Sequence, residues 1–176
     1  MSEPSIATLF DWAKDIVLPV ATFVAGFIIS RFTLTKKDRK DIEQKNFENT
    51  AKLLEQHDLA YTGYTQAIDD YASAQSPDAA NFLEIATKGD RYFDQIHAMS
   101  TAILSDKVDA NSRENHLLPK IRAVADRTLS SHYGILESIA KKQGFVYSGE
   151  LRRSDYNAIF SIMEKYGPSP DWDKPA

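Results

Sequence analysis

The sequence predicts an all-α protein with one N-terminal transmembrane helix followed by an antiparallel helical bundle of three long helices and one short helix. Three observations carry this prediction. An uncharged apolar run occupies residues 16–30. Behind it, apolar residues recur every three or four positions, which is the period of a helix with one buried face. No segment alternates apolar and polar residues as a half-buried strand does.

Residues 12–34 are the predicted membrane span. The uncharged run is short, because a hydrocarbon core about 30 Å thick needs roughly 20 helical residues. Aromatic and basic side chains on both flanks extend it to the headgroup region. A buried core helix and a cleaved signal peptide are the alternatives, although the acidic N-terminus argues against a signal peptide. The flanking residues are Trp12, Lys14, Arg31, Lys36, Lys37, Arg39 and Lys40.

The charge balance across the span predicts its direction. Residues 1–15 carry three acidic side chains against Lys14 alone, whereas residues 31–40 carry five basic side chains against Asp38. Because the basic side of a span stays in the cytoplasm, we expect the N-terminus outside and the C-terminal domain inside. Residues 1–11 are then a short extracytoplasmic tail, and membrane lipid is a partner of the chain.

Small residues recur within the span at intervals of four, at Thr22, Gly26 and Ser30. Such a stripe lets two helix backbones approach closely in lipid, where packing drives association. A homo-oligomer formed through this face is therefore one expectation. The alternative is that small residues are simply common in membrane helices.

The composition of the remainder excludes several classes of function. Residues 41–176 carry 15 Lys and Arg against 21 Asp and Glu, a net charge of −6. An acidic domain is a poor candidate for nucleic acid, which requires basic patches. The chain has no cysteine, which excludes disulfides, thiolate zinc sites and cysteine nucleophiles. Residues 35–167 are enough for one domain with its own core.

The first helix of this domain carries an apolar stripe with a 3.5-residue period, as in a coiled coil. No glycine or proline interrupts residues 36–48, so this helix can continue from the membrane helix, and we expect it to end near Ala74. The stripe predicted to be buried is Phe47, Ala51, Leu54, Tyr61, Ile68 and Ala72.

Ser76 and Pro77 predict the start of the second helix, because they supply a capping hydroxyl and a proline at the first helical position. The apolar stripe of this helix passes through Gly89, which indicates a bend or a close contact with another helix. Its predicted core residues are Phe82, Ile85, Phe93, Ile96, Met99 or Ser100, and Ile103.

The third helix contains Pro119, so it starts there or kinks, and Gly144 is its predicted stop. Ser154 and Asp155 are the predicted caps of a short fourth helix that ends at Gly167. The tail at residues 168–176 has three prolines and is predicted to be disordered. The apolar stripes are Leu117, Leu118, Ile121, Val124, Ala125, Leu129, His132, Ile135, Leu136 and Ile139, then Tyr156, Ile159, Phe160, Met163 and Tyr166.

The sequence holds no phosphate-binding glycine loop, dinucleotide fingerprint, nucleophile elbow or zinc-protease signature. Asp94 and His97 share a helical face, but a di-iron bundle needs more carboxylates and a second histidine. His132 lies on an apolar stripe, where a hydrogen-bonded structural histidine is the plainer interpretation. We therefore predict no catalytic residue, no metal ligand and no cofactor, and an enzyme is the third choice of function.

Tyr61, Tyr64 and Tyr71 lie on roughly one helical face and form the predicted partner surface, since tyrosines commonly anchor interfaces. Packing within the bundle is the alternative for them. Trp172 in the acidic tail is a candidate docking motif. The predicted function is an interaction or scaffold module that binds a protein partner at the cytoplasmic face. The alternative is a small effector that oligomerises through its transmembrane helix and perturbs the bilayer.

Overall fold

The structure is a computed structural model that describes residues 18–167, and for residues 18–34 it describes the backbone alone. Within this range the chain is helical and has no strand, so the predicted all-α class and helical bundle are confirmed. Helix α1 is Leu18–Ser73, α2 is Ala79–Leu104, α3 covers residues 110–143, and α4 is Asn157–Tyr166.

The chain divides into two compact units, residues 1–44 and residues 45–176. The described part of the first unit belongs to α1, and its side chains from Lys36 to Lys40 are exposed. Among the described residues, no helix combines the length and the hydrophobicity that a membrane crossing requires. The first residues of the predicted span at 12–34 lie outside the described range, as do the side chains of its remaining residues.

The second unit buries a different face of α1 from the one predicted. Phe47 is 59% exposed and Tyr61 is 48% exposed, although both belong to the predicted stripe. The buried face includes polar residues whose hydrogen bonds are satisfied, such as Thr50, which donates to the Asn46 carbonyl and accepts the Asp109 N–H. The residues buried along this face are Thr50, Leu53, His57, Ala60, Tyr64 and Ala67.

The N-cap of helix α2 lies two residues after the predicted one. Asp78, and not Ser76, is the N-cap residue: its carboxylate accepts hydrogen bonds from the Ala80 and Asn81 N–H groups, while Asn81 Oδ1 accepts from the Asp78 N–H. A carboxylate satisfies these free donors and also favours the positive end of the helix dipole. The predicted core stripe of α2 is buried from Ile85 to Ile103, whereas Phe82 is half-buried, and Tyr92 is an unpredicted member.

Helix α3 passes through Pro119 without a break. Two π-helical turns, Arg113–Leu117 and Val124–Thr128, widen the helix before and after the segment Leu118–Ala123. A proline ring clashes with the carbonyl four residues earlier in a regular α-helix, and a wider turn at this point relieves that clash. The helix ends at Gly144, with φ of 75°, as predicted.

Helix α4 follows a 3₁₀ turn, Arg153–Tyr156, and not a side-chain cap. The predicted caps do not close the helix, because the Ser154 hydroxyl donates to the neighbouring Asp155 carboxylate. Gly167, with φ of 74°, ends α4 as predicted, and the tail beyond it lies outside the described residues. The largest fully buried side chains come from three helices and include Phe93, Met99, Ile121, Leu136, Ile159 and Ile162.

Candidate partner-binding face

The residues of the predicted stripe on α1 form an apolar line beside the buried face. Phe47, Leu54, Tyr61 and Ile68 stand at intervals of seven, so they project from one side of the helix. Leu54 and Ile68 pack partly against the core, whereas Phe47 and Tyr61 are open to solvent. We call these four residues the α1 flank. A further helix could pack against these side chains without displacing any residue of the bundle.

The structure separates the three tyrosines of the predicted partner surface. Tyr61 lies on the α1 flank, Tyr71 is half-buried, and Tyr64 is only 4% exposed. Tyr64 therefore does not present its hydroxyl to a partner, which corrects that part of the prediction. Its position on α1 explains this, because Tyr64 follows His57 by seven residues and shares its buried face.

His57 lies beneath Tyr61 and is 3% exposed. Its ring is nearly parallel to that of Tyr61, with 6.1 Å between the ring centres, and it meets Tyr92 of α2 edge-on at 5.5 Å. Tyr61 and Tyr92 thus lie against a buried polar side chain, and the exposed ring of Tyr61 is held in place by aromatic neighbours.

Asp58 and Lys120 supply the polar contacts of His57. His57 Nδ1 lies 2.8 Å from Asp58 Oδ1, and Lys120 Nζ lies 3.3 Å from the same oxygen. Because an ionised carboxylate only accepts hydrogen bonds, we assign the proton to Nδ1 and the lone pair to Nε2. His57 Nε2 is buried and has no hydrogen-bond partner in the described part of the chain.

At neutral pH the imidazole of His57 is neutral and the carboxyl of Asp58 is ionised. Burial lowers the pKa of His57, although the hydrogen bond to Asp58 opposes that change. The hydrogen bond from His57, aided by Lys120, lowers the pKa of the Asp58 carboxyl. The α1 flank therefore carries an ion pair beside its exposed tyrosine, and this combination of an aromatic anchor and polar neighbours is typical of interfaces.

A small groove lies on the other side of α1, against α2. Its volume is about 180 Å³, and it is lined by Gln56, Leu59, Ala60, Arg91 and Gln95. Leu59 is 69% exposed, and Gln95 Oε1 is buried without a partner among the described residues. Positions 59 and 61 project to different sides of a helix, so this groove is separate from the α1 flank.

The second buried histidine of the bundle, His132, belongs to its interior. The Tyr64 hydroxyl lies 2.9 Å from His132 Nδ1, and a Cβ on Gly89 would stand 2.2 Å from His132 Cε1. Gly89 therefore makes room for the imidazole, which explains the glycine in the apolar stripe of α2. Ser130 and Ser131 beside it are exposed, and Asp94 of the weighed metal pair is exposed as well.

The remaining predicted site residues belong to the anchor and the tail. Trp12, Lys14 and Trp172 lie outside the described residues, and the side chains of Thr22, Gly26, Ser30 and Arg31 do so too. Arg39 Nε lies 3.4 Å from Glu43 Oε1, and Lys36, Lys37 and Lys40 are exposed.

Two contacts between α1 and the loop that follows α2 could not be recognised in the sequence. Asn49 Nδ2 donates to the Lys107 carbonyl at 2.7 Å, and Thr50 accepts the Asp109 N–H, so α1 is tied to the loop between α2 and α3. The adjacent pair His57–Asp58 was the only local pattern that could have indicated the polar group under Tyr61.

Comparisons of the chain with models of protein families, with curated proteins and with solved structures give no match.

Proposed function

We propose that this chain is a membrane-anchored interaction module whose α1 flank binds a helix of a partner protein at the cytoplasmic face. The observation that carries the proposal is the exposure of Phe47 and Tyr61 on a line of apolar residues with a seven-residue period. Amphipathic helices dock on such lines through anchors at one helical face. The Asp58–Lys120 pair beside Tyr61 supplies polar contacts that fix the register of the partner.

Membrane anchoring is the second part of the proposal and rests on the sequence. The uncharged run at residues 16–30, its tryptophan and lysine flanks and the basic cluster that follows favour one span with the bundle inside. A reporter that is active only outside the cytoplasm, fused after Ala176, is expected to stay inactive. Activity of that reporter would reverse the orientation.

The test of the partner surface uses the full chain in detergent. A photo-crosslinking residue at Tyr61 is expected to capture one protein, and Phe47→Ser is expected to reduce the yield strongly because it removes an exposed anchor. Leu59→Ser is the matched control, since Leu59 is similarly exposed on the other side of α1. Equal loss in both variants, or no loss in either, would contradict a partner site on the α1 flank.

The alternative, an effector that assembles through its membrane helix and perturbs the bilayer, is favoured by the small residues Thr22, Gly26 and Ser30. It predicts that overproduction depolarises the membrane and that Gly26→Leu abolishes the effect. Function that survives in a fragment starting near Lys40 would instead show that the anchor is only a tether.

A further inference from the structure

The α1 flank is one line of a heptad pattern that continues on the solvent side of α1. Its four residues occupy the d positions of this pattern. The a positions between them are Ala51, Asp58, Thr65 and Ala72. The g positions are buried against the bundle, as at His57 and Tyr64. A helix that packed on the α1 flank would therefore meet the e positions on its open side.

Acidic residues occupy most of these e positions. Glu48, Glu55 and Asp69 stand seven or fourteen residues apart, with Thr62 between them, and all four are exposed. We call these four residues the acidic edge. The lysines at 45 and 52 stand at b positions, further from the seam. Because e positions pair with charged residues of the facing helix, the acidic edge favours a partner with positive charge.

Two carboxylates of the acidic edge are available for such pairs. In the part of the chain that the structure describes, neither Glu55 nor Asp69 has a cation within ion-pair distance. Glu48 already has a contact of its own. The bundle therefore leaves negative charge along the open side of its exposed apolar line.

Asp58 brings a further carboxylate into the seam itself, at an a position. Its side chain is exposed, and its contacts with His57 and Lys120 are both made by Oδ1. A donor from a partner can therefore reach Oδ2. A single polar residue at an a position fixes the register of a coiled coil. A basic side chain opposite Asp58 would in this way align a partner helix with Tyr61.

A second copy of the chain does not fit this surface through the same face. A parallel pair of α1 helices would place Asp58 opposite Asp58, and an antiparallel pair would place one acidic edge along the other. Like charges that face each other across an interface disfavour the complex. The negative surface of an anionic bilayer is repelled for the same reason.

We propose that the partner of the α1 flank is a basic amphipathic helix of another protein, an inference that rests on the function proposed above. The apolar side chains of this helix pack on the α1 flank. One of its lysine or arginine side chains pairs with Asp58, and others lie along the acidic edge. The anchors Phe47 and Tyr61 then supply the affinity, and the charges select among candidate helices.

Two designed peptides test this inference on the full chain in an uncharged detergent. Both form amphipathic helices with leucine at a and d, and they carry either lysine or glutamate at e and g. A photo-crosslinking residue at Tyr61 reports binding as the yield of crosslinked product. We expect the lysine peptide to reach half of its maximal yield at a concentration about tenfold lower, and this preference to shrink at about 0.5 M NaCl, because salt screens exposed charges.

The double variant Glu55→Lys and Asp69→Lys should remove this preference, because it balances the charge along the seam. Both positions are exposed on a helix, and lysine is a good helix former. Glu84→Lys with Glu137→Lys changes the net charge equally at exposed positions of α2 and α3. This matched control should keep the preference. A preference that survives the change at the acidic edge, or that the control removes equally, would overturn the inference.

Phe47→Ser separates this inference from the function on which it rests. The variant should weaken the binding of both peptides alike, since it removes an anchor that acts independently of charge. If Phe47→Ser weakens binding but the parent chain takes up both peptides equally, the α1 flank remains a binding site and the selection by charge is overturned. If Phe47→Ser leaves both yields unchanged, the inference and the proposed site fail together.

Discussion

The two buried histidines of the bundle, His57 and His132, differ in their hydrogen-bond partners. His132 is sealed between α1 and α2, and its one assigned hydrogen bond joins the Tyr64 hydroxyl, whose pKa burial raises to about 12. His57 is buried as deeply, but its partner Asp58 is a carboxylate exposed on the surface of α1. Burial lowers the pKa of both imidazoles, and it lowers that of His132 to about 4.

This difference shows how a helical bundle uses one residue type in two ways. His132 is held by neutral groups and by the space above Gly89, so the interior fixes both its position and its charge. His57 is held by an ion pair at the surface, so groups that a partner can contact also reach the core. Binding of the proposed partner at the α1 flank would therefore affect the buried polar group of His57.

The largest expected effect is an acid-induced loss of stability from His132. Its pKa is 6.5 in the unfolded chain and about 4 in the fold. Between these values the unfolded chain binds more protons, so the free energy of unfolding falls as the pH falls. The full loss is up to about 3 kcal/mol, at about 1.4 kcal/mol per pKa unit. Tyr64 stays neutral in this range and does not offset it.

Urea unfolding of the full chain, measured at several pH values between 7 and 4, tests this. His132→Gln should flatten most of the pH dependence even though it lowers stability at pH 7. His116→Gln replaces an exposed histidine on the same helix and is the control. If the free energy of unfolding of the His132→Gln variant falls with pH as steeply as that of the parent, this imidazole takes up its proton inside the fold.

The second effect is steric and concerns the space that His132 occupies. Gly89→Ala should lower the stability by about 1 kcal/mol, because overpacking costs about 1–3 kcal/mol and alanine recovers up to about 1 kcal/mol of helix propensity. Gly134→Ala is the control, since a Cβ there meets nothing within 4 Å and should stabilise the helix. Differential scanning fluorimetry measures both.

A double variant separates this contact from a general weakness of α2. If the imidazole is the obstacle, His132→Ala and Gly89→Ala together should cost less than the sum of the single changes. Strict additivity of the two free-energy changes would show that Gly89 serves some other purpose.

The sequence predicted α2 and α3 better than α1, and the reason lies in the residues at their contacts. The stripe through Phe93 and Ile96 is buried because large apolar side chains occupy it. On α1 the bundle buries Thr50, whose hydroxyl is bonded to Asn46 and Asp109, and His57, whose Nδ1 is bonded to Asp58. Such bonds depend on residues brought together by the fold, so apolar spacing alone favoured the neighbouring stripe.

The same limit applied to the candidate site. The seven-residue spacing from Phe47 to Ile68 is present on one side of α1. The sequence could not show that the core is built from a different face of this helix. Nor could it place Lys120, which is 62 positions from Asp58 along the chain. The wide turn before Pro119 was equally hidden, because proline normally indicates a break in a helix.

The smallest expected effect concerns the ion pair that distinguishes His57. The Asp58 side chain is 68% exposed and that of Lys120 is 36% exposed, so replacing either should change the stability by only about 0.5 kcal/mol. The pKa of His57 should respond in opposite directions. Lys120→Met removes a positive charge and raises it, whereas Asp58→Asn removes the acceptor charge and lowers it.

Titration of the His57 Cε1 proton by NMR in micelles measures both shifts, and the resonance of His132 is the internal control. Since His132 has no charged partner among the described residues that contact it, neither variant should move its pKa. Equal shifts at both histidines would mean that the bundle transmits the surface charge to its interior. The comparison drawn between the two sites would then fail, and binding at the α1 flank would be expected to change the stability of the whole bundle.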